Sequence, residues 1–338
     1  MNKKILAALL SAVLIFCMAA CSADKKDDTK TEKTDITFCL EWTPNTNHTG
    51  LYVAQKMGYY DEAGLNVKIV QPPENSAATQ VCAAGQAQFT IEAQDTLAAA
   101  FTSETEIGVT AVAAILQHNT SGIMSKAGNG MDKPAGLTGN TYLTWDSPIE
   151  LAMMKNVVES NGGDWNKVNV IPNTVTEEAQ DVNANPDHAI WVFYGWGGIN
   201  AKVSGVDVDY FNFKDINETF DYYTPVIVGN NDFLKENPEA AKAFMEATAK
   251  GYEYAAKNPE EAAKILIESD DTGALTGCDE LVLESQKWIS EQYLADADKW
   301  GYIDSNRWNR FYDWLWENKL IEKQIDKDFG FTNEYLPQ

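Results

Sequence analysis

ITFCLEWTPNTNHTGLYVAQKMGYYDEAGLNVKIV, residues 36–70, is the stretch that decides the fold. The apolar run Ile36–Leu40 reads as a strand, and a polar loop follows it. Gly50–Gly58 has helical character and ends on a glycine, the residue that closes a helix in the left-handed conformation. Val67–Val70 is a second apolar run. Strand, loop, helix and strand in this order describe an α/β layer with a mostly parallel sheet.

The alternation continues on both sides of this stretch. Ala77–Ala84 reads as a helix closed by Gly85, Gln88–Glu92 as a strand and Asp95–Phe101 as a helix. Gly108–Leu116 and Gly122–Ser125 are strand-like. A second cycle starts near Asn140 with the strand Thr141–Thr144. Ser147-Pro148-Ile149-Glu150 then starts a helix that runs to about Ser160, with Ser as N-cap, Pro at the first position and Glu at the third. Val168–Ile171, Thr176–Val182 and Ala189–Tyr194 complete this unit. From Asn231 the chain turns helical, with two Asn-Pro-Glu starts at Asn237 and Asn258 where Asn is the expected cap. The end is rich in aromatics (Trp288, Trp300, Trp308, Tyr312, Trp314, Trp316), which on helices read as core or lobe-packing residues. Two α/β halves and a helical C-terminal region fit a two-lobed, hinged binding protein. Its ligand would sit in the cleft, beyond the carboxyl ends of the strands.

Composition narrows the partners. The chain has 338 residues and a formal charge of −24, with 44% hydrophobic residues. That is enough apolar side chain for large cores. The acidic excess argues against nucleic acid, which needs clustered Lys and Arg, and against electrostatic docking to an anionic membrane. Arginine occurs only at Arg307 and Arg310, both in one predicted C-terminal helix. A guanidinium clamp for a carboxylate, sulfonate or phosphate is therefore not expected in either α/β half, and a flat, neutral or weakly cationic ligand is. The histidines are His48, His118 and His188, too few for a zinc site built from several of them. No metal or cofactor is expected. Glycine-rich nucleotide loops and the nucleophile elbow of hydrolases are absent.

The N-terminus reads as an export signal over residues 1–20: MNKK, an apolar run from Ile5 to Ala20, then Cys21. Ala19-Ala20-Cys21 also fits a bacterial lipobox, which makes Cys21 the lipid-bearing first residue. Removing Lys3 and Lys4 with the leader takes the charge from −24 to −26. The polar segment up to residue 35 reads as a tether reaching roughly 20 Å. These features imply a protein anchored by lipid at the extracytoplasmic face of the cell membrane. Cys39, Cys82 and Cys278 form no CxxC and read as buried small apolar residues.

Two loops concentrate possible ligand contacts. Glu41–Gly50 offers the face of Trp42 for stacking and edge hydrogen bonds from Asn45 or His48. In the plainer reading Pro44 and Asn45 make a turn and His48 is structural. Trp191–Gly198 follows a strand, and its glycines permit close approach to a ligand or merely a turn. Strand alternation puts Tyr194 and Trp196 on one face and Trp191 and Phe193 on the other, core-facing one. Further candidates are Gln94 and Asp95 at the end of the third strand, His118 at the expected crossing, and Trp145 before a helix start. The last of these could hold an anion on free N–H groups, or simply be capped by Ser147.

At this point the residues become familiar. EWTPNTNHTGLYVAQKMGYYDEAGL, AAILQHNTSGIMS, TWDSPIE, AIWVFYGWGGINAK, YTPVIVGNNDFLKENPE, GYEYAAKNPEEAA and FTNEYLP resemble the thiamine-pyrimidine family over roughly residues 36–337. That family groups solute-binding lipoproteins of ABC importers with pyrimidine synthases. The resemblance implies a type II periplasmic-binding-protein fold with two hinge crossings, near Gln117–Thr120 and Tyr222–Thr224. Lobe one would span residues 36–120 and 223–338, and lobe two residues 121–222. It also implies a 4-amino-2-methylpyrimidine ligand between Trp42 and Tyr194 or Trp196, with Asn45 on its edge. The partners it implies are an ABC permease and its ATPase. The synthases carry a cysteine-rich stretch where this chain has Trp191–Trp196. Relatives with a similar Tyr-Gly-Trp loop carry acids soon after it, where this chain has Gly197-Gly198-Ile199-Asn200. The expected role is thus ligand capture by cleft closure and delivery to a permease, not catalysis. Its rivals are another flat or organic solute (a riboflavin precursor, an alkylsulfonate), a sensor role, and a pyrimidine-synthase-type enzyme.

Overall fold

The computed structural model describes residues 33–337 apart from 74–75, 106 and 173–174. The expected leader, Cys21 and nearly all of the tether lie outside the described residues. The first strand, β1 (Thr34–Cys39), begins two residues ahead of the expected Ile36. The first half continues with β2 (Leu65–Val70), β3 (Phe89–Glu92) and β4 (Val109–Ala114). The second half holds β5 (Ser121–Lys126), β6 (Thr141–Thr144), β7 (Asn169–Pro172), β8 (His188–Phe193) and β9 (Val208–Asn212), and β10 (Val226–Asn230) follows.

These strands make two five-stranded sheets, ordered β2-β1-β3-β10-β4 and β7-β6-β8-β5-β9. β1 pairs in parallel with β2 and β3, and β10 runs antiparallel between β3 and β4. The second sheet repeats the plan, with β5 antiparallel between β8 and β9. In each sheet, then, the reversed strand is the one by which the chain enters that half. The chain leaves the first sheet after β4 and returns after β9, giving the two crossings. The carboxyl ends of β1 and β3 consequently share an edge with the start of β10.

Helices cover the sheets because their apolar faces have no other place to go. The helix Thr49–Lys56 buries six consecutive residues, Thr49–Ala54, and lies against the long helix Pro238–Lys257. Gly50 makes that approach possible, since a Cβ there would meet the Tyr252 ring at 2.3 Å. Phe89 of β3 stacks on Phe244 with centroids 4.3 Å apart, and Tyr252 stacks on Trp300 at 4.4 Å. Trp300, Trp308 and Tyr312 are buried as expected, but Trp316 is 40% exposed.

Both Asn-Pro-Glu starts open helices, Pro238–Lys257 and Pro259–Ser269, yet neither Asn caps through its side chain. Asn258 instead donates backwards to the Tyr254 carbonyl at 3.0 Å and closes the preceding helix. Cys39 and Cys82 are buried, whereas Cys278 is half-buried. The terminal FTNEYLP segment straps the outer edge of the first sheet. Thr332 N–H donates to Ala111 of β4, and Asn333 exchanges hydrogen bonds with the Ile303 backbone. No described helix is long and apolar enough to cross a membrane.

Candidate functional site

A cavity of about 240 Å³ lies where the two sheets face each other. Its walls are Glu41, Trp42, Asn45 and Asn47 from the loop after β1, Glu92 and Ala93 from the end of β3, and Thr224 and Pro225 from the second crossing. Phe193 at the end of β8 and Trp196 in the turn after it close the other side. The volume is below the range usual for drug-sized ligands, roughly 300–1,000 Å³, and suits a one-ring solute. Trp42 is 56% exposed and lines the cavity.

The loop holding Trp42 is rigid for reasons visible in its sequence. Asn45 caps the short turn Thr46–His48: its Oδ1 accepts from Asn47 N–H at 2.9 Å and its Nδ2 donates to Thr43 O at 3.1 Å. His48 is fully buried, and its Nδ1 accepts the Asn45 amide hydrogen at 3.1 Å. That bond leaves Nε2 to carry the proton facing Glu41 Oε2, 3.0 Å away. His48 therefore does not line the cavity. It orients Glu41, which does.

Glu92 is the second carboxyl in the wall. Its Oε2 accepts from the Thr79 hydroxyl at 2.6 Å, and its Oε1 accepts from Ala93 N–H at 3.0 Å. Burial, with Glu41 and Asp95 nearby, outweighs these bonds and pushes its carboxyl up to about 7. No Lys or Arg is among the cavity-lining residues. Two acids, an asparagine pair and three aromatic rings suit a flat heterocycle that brings hydrogen-bond donors.

The sequence candidates separate accordingly. Trp42, Asn45 and Trp196 meet at the cavity. Tyr194 does not share a face with Trp196, because the chain leaves β8 in a π-helical turn, Tyr194–Gly198, and strand alternation stops there. Tyr194 packs against Tyr210 and Trp288, with centroids 5.0 and 5.1 Å away, and borders a different surface groove. Phe193, expected in the core, faces the cavity instead. Gln94 is fully buried: its Nε2 donates to Trp308 O at 2.8 Å and its Oε1 accepts from Tyr223 N–H at 3.0 Å. Asp95 sits at the start of the helix Gln94–Thr102, away from the cavity wall, and burial pushes its carboxyl up to about 6. His118 belongs to the crossings, with Nδ1 2.7 Å from Asp221 and Nε2 3.0 Å from Asp296. Trp145 is 51% exposed and lies beside Trp191, outside the wall. The N–H groups of Trp145 and Ser147 are taken by the Glu150 carboxylate, so this helix start is capped by its own side chains.

The arginines also settle away from the cavity. Arg307 lies against Asp221 and the Gln117 carbonyl, and Arg310 pairs with Glu218. What the sequence reading passed over were Glu92, two residues before the Gln94 it favoured, and the role of Glu41 beside Trp42. Glu92 ends β3 and Glu41 lies two residues past β1, and that position at strand ends of the first sheet was the available signal.

The chain is 28% identical over 325 residues to the formylaminopyrimidine-binding protein of Halalkalibacterium halodurans, covering 96% of this chain and 97% of the relative. It is 23% identical over 330 residues to the 4-amino-5-hydroxymethyl-2-methylpyrimidine phosphate synthase THI13 of Saccharomyces cerevisiae, covering 89% and 87%. Among solved structures, the zinc-bound ligand-binding component of an ABC-type import system from Staphylococcus aureus superposes with a TM-score of 0.66. Its identity is 13%, and the match covers 90% of this chain and 98% of that one. The fold is thus that of the periplasmic binding proteins. Residues 45–262 match the NMT1/THI5-like family, and the chain belongs to it.

Proposed function

We propose that this chain is the solute-binding component of an ABC importer and captures a thiamine pyrimidine precursor of the 4-amino-2-methylpyrimidine type. The cavity between the sheets carries this reading: aromatic faces on both sides, carboxyls and amides on the rim, and no cation in the wall. The lack of a cation disfavours alkylsulfonates, which need positive partners. Similarity to the formylaminopyrimidine-binding protein points the same way.

In this reading the ring lies between Trp42 and Trp196, with Asn45, Glu41 and Glu92 at its edge. Residues 36–120 and 223–338 form one lobe and residues 121–222 the other. Ligand bridges the lobes and stabilises the closed form, which a permease and its ATPase recognise. The chain acts as a carrier and not a catalyst. Burial pushes the Cys39 thiol up to about 11 and the Cys82 thiol up to about 12, so neither supplies a thiolate near the site. A signal over residues 1–20, lipid on Cys21 and a tether to residue 35 would hold the protein at the extracytoplasmic membrane face.

Tryptophan fluorescence of the purified mature protein, titrated with 4-amino-5-hydroxymethyl-2-methylpyrimidine and its formylaminomethyl relative, tests the assignment. Saturable quenching at micromolar concentration or below is expected, and a flat titration with both rejects it. Mass spectrometry of the protein made in a bacterial host tests the anchor: a diacylated Cys21 as first residue is expected.

A further inference from the structure

We propose that Glu92 and Glu41 are the specificity-determining pair of this site: Glu92 shares one proton with a ring nitrogen of an aminopyrimidine, and Glu41 accepts from the ligand's side-arm N–H or O–H. The inference rests on the aminopyrimidine reading above and adds how the ring edge is read.

Three observations carry it. Both carboxyls line the cavity, and both come from the first-sheet side. Each is fixed from behind by a donor that leaves lone pairs free: Thr79 and Ala93 behind Glu92, His48 behind Glu41. The opposite wall supplies only Phe193 and Trp196. The two positions after Trp196 cannot take an acid cheaply. A Cβ on Gly197 would meet Val192 at 2.8 Å, and one on Gly198 would meet the Tyr194 ring at 2.6 Å. The polar edge of the ligand is therefore read from the first lobe, while the second lobe stacks.

The proton follows from the electrostatics. The charged groups facing Glu92 are Glu41 on the loop after β1 and Asp95 on the following helix, both acidic. The helix Ala78–Ala83 offers only the neutral Thr79 hydroxyl. With its carboxyl pushed up to about 7, Glu92 is protonated about half the time near neutrality. A neutral carboxyl presents one donor and one acceptor, which match the ring nitrogen and exocyclic amine of an aminopyrimidine. A carboxylate would put its charge against the nitrogen lone pair. Above neutrality, binding must therefore take one proton from solvent. That proton ends in the O–H···N contact between Glu92 and the ring.

Calorimetry with 4-amino-5-hydroxymethyl-2-methylpyrimidine tests this on the wild-type mature protein. Titrations near pH 8 in two buffers of different ionisation enthalpy are expected to report uptake of close to one proton. The affinity is expected to fall roughly thirty-fold between about pH 6 and about pH 8.5. Glu92→Gln, whose amide offers the same donor and acceptor at every pH, is expected to bind with no such fall. Glu41→Gln is expected to keep the fall and bind more weakly. Binding without proton uptake, or a parallel fall in Glu92→Gln, overturns the inference and leaves the aminopyrimidine reading standing. Absence of binding overturns both.

Discussion

Trp42→Ala separates binding from folding more cleanly than any other single change. The side chain is 56% exposed, so folding gains little from it, and removing it should cost about 0.5 kcal/mol of stability or less. It lines the cavity together with Trp196. Stacking of a base-like ring on an aromatic side chain is worth about 1–3 kcal/mol by alanine substitution. That range is a loss of about 5- to 150-fold in Kd. Neighbouring contacts should survive, because the loop is held by Asn45 and His48, not by Trp42. The assay is isothermal calorimetry with an aminopyrimidine beside thermal unfolding of the same preparations. The expected result is a weaker Kd with Tm within about 2 °C of wild type. Unchanged affinity would refute the stacking role. A large fall in Tm would refute the claim that the loop stands without the ring.

Three further outcomes follow from the packing and electrostatics. Burial moves the Glu92 carboxyl from its ordinary 4.5 to about 7. Between these values the unfolded chain ionises while the fold resists, so Glu92 costs stability as pH rises and the cost levels off above about 7. Glu92→Gln should therefore gain on wild type by up to about 3 kcal/mol between pH 4.5 and 8 in urea unfolding, and a pH-independent difference would contradict this. Gly50→Ala drives a methyl into the Tyr252 ring, which is backed by Trp300 and whose hydroxyl donates to Asn47 O at 2.7 Å. A loss of about 1–3 kcal/mol is expected by denaturant titration, with weaker ligand binding as the loop shifts. At the crossings, burial raises the Asp221 carboxyl, but His118 and Arg307 prevail and hold it below its usual range. Asp221→Asn should cost about 2–3 kcal/mol at pH 7, with the loss shrinking as pH falls through the carboxylate range where wild-type Asp221 also becomes neutral.

Much of this architecture was legible because its signals are local. Period and punctuation located β6 (Thr141–Thr144) and the helix Pro148–Ser160 to the residue, including the Ser147–Glu150 capping box. Sheet order was not legible, since the insertion of β5 and β10 as reversed strands is decided by long-range pairing. At the site, Trp42, Asn45 and Trp196 stood out by type and position. Tyr194 parts from Trp196 because a π-helical turn replaces the strand period at that residue. Gln94 and His118 lie outside the cavity wall, since a polar side chain near a strand end serves a hinge as well as it serves a ligand. Gln94 ties the crossing at Tyr223 to Trp308, and His118 bridges Asp221 and Asp296. Glu92 escaped notice because only its place at the end of β3 marks it, and in so acidic a chain its burial is decided by long-range packing.

On the proposed function, the cleft takes a neutral or weakly basic aminopyrimidine and refuses anions. Calorimetry of the mature protein with 4-amino-5-hydroxymethyl-2-methylpyrimidine, its formylaminomethyl relative and an alkylsulfonate tests it in one series. Micromolar or tighter binding of at least one aminopyrimidine is expected, and none of the sulfonate. Sulfonate binding, with both pyrimidines silent, would contradict it.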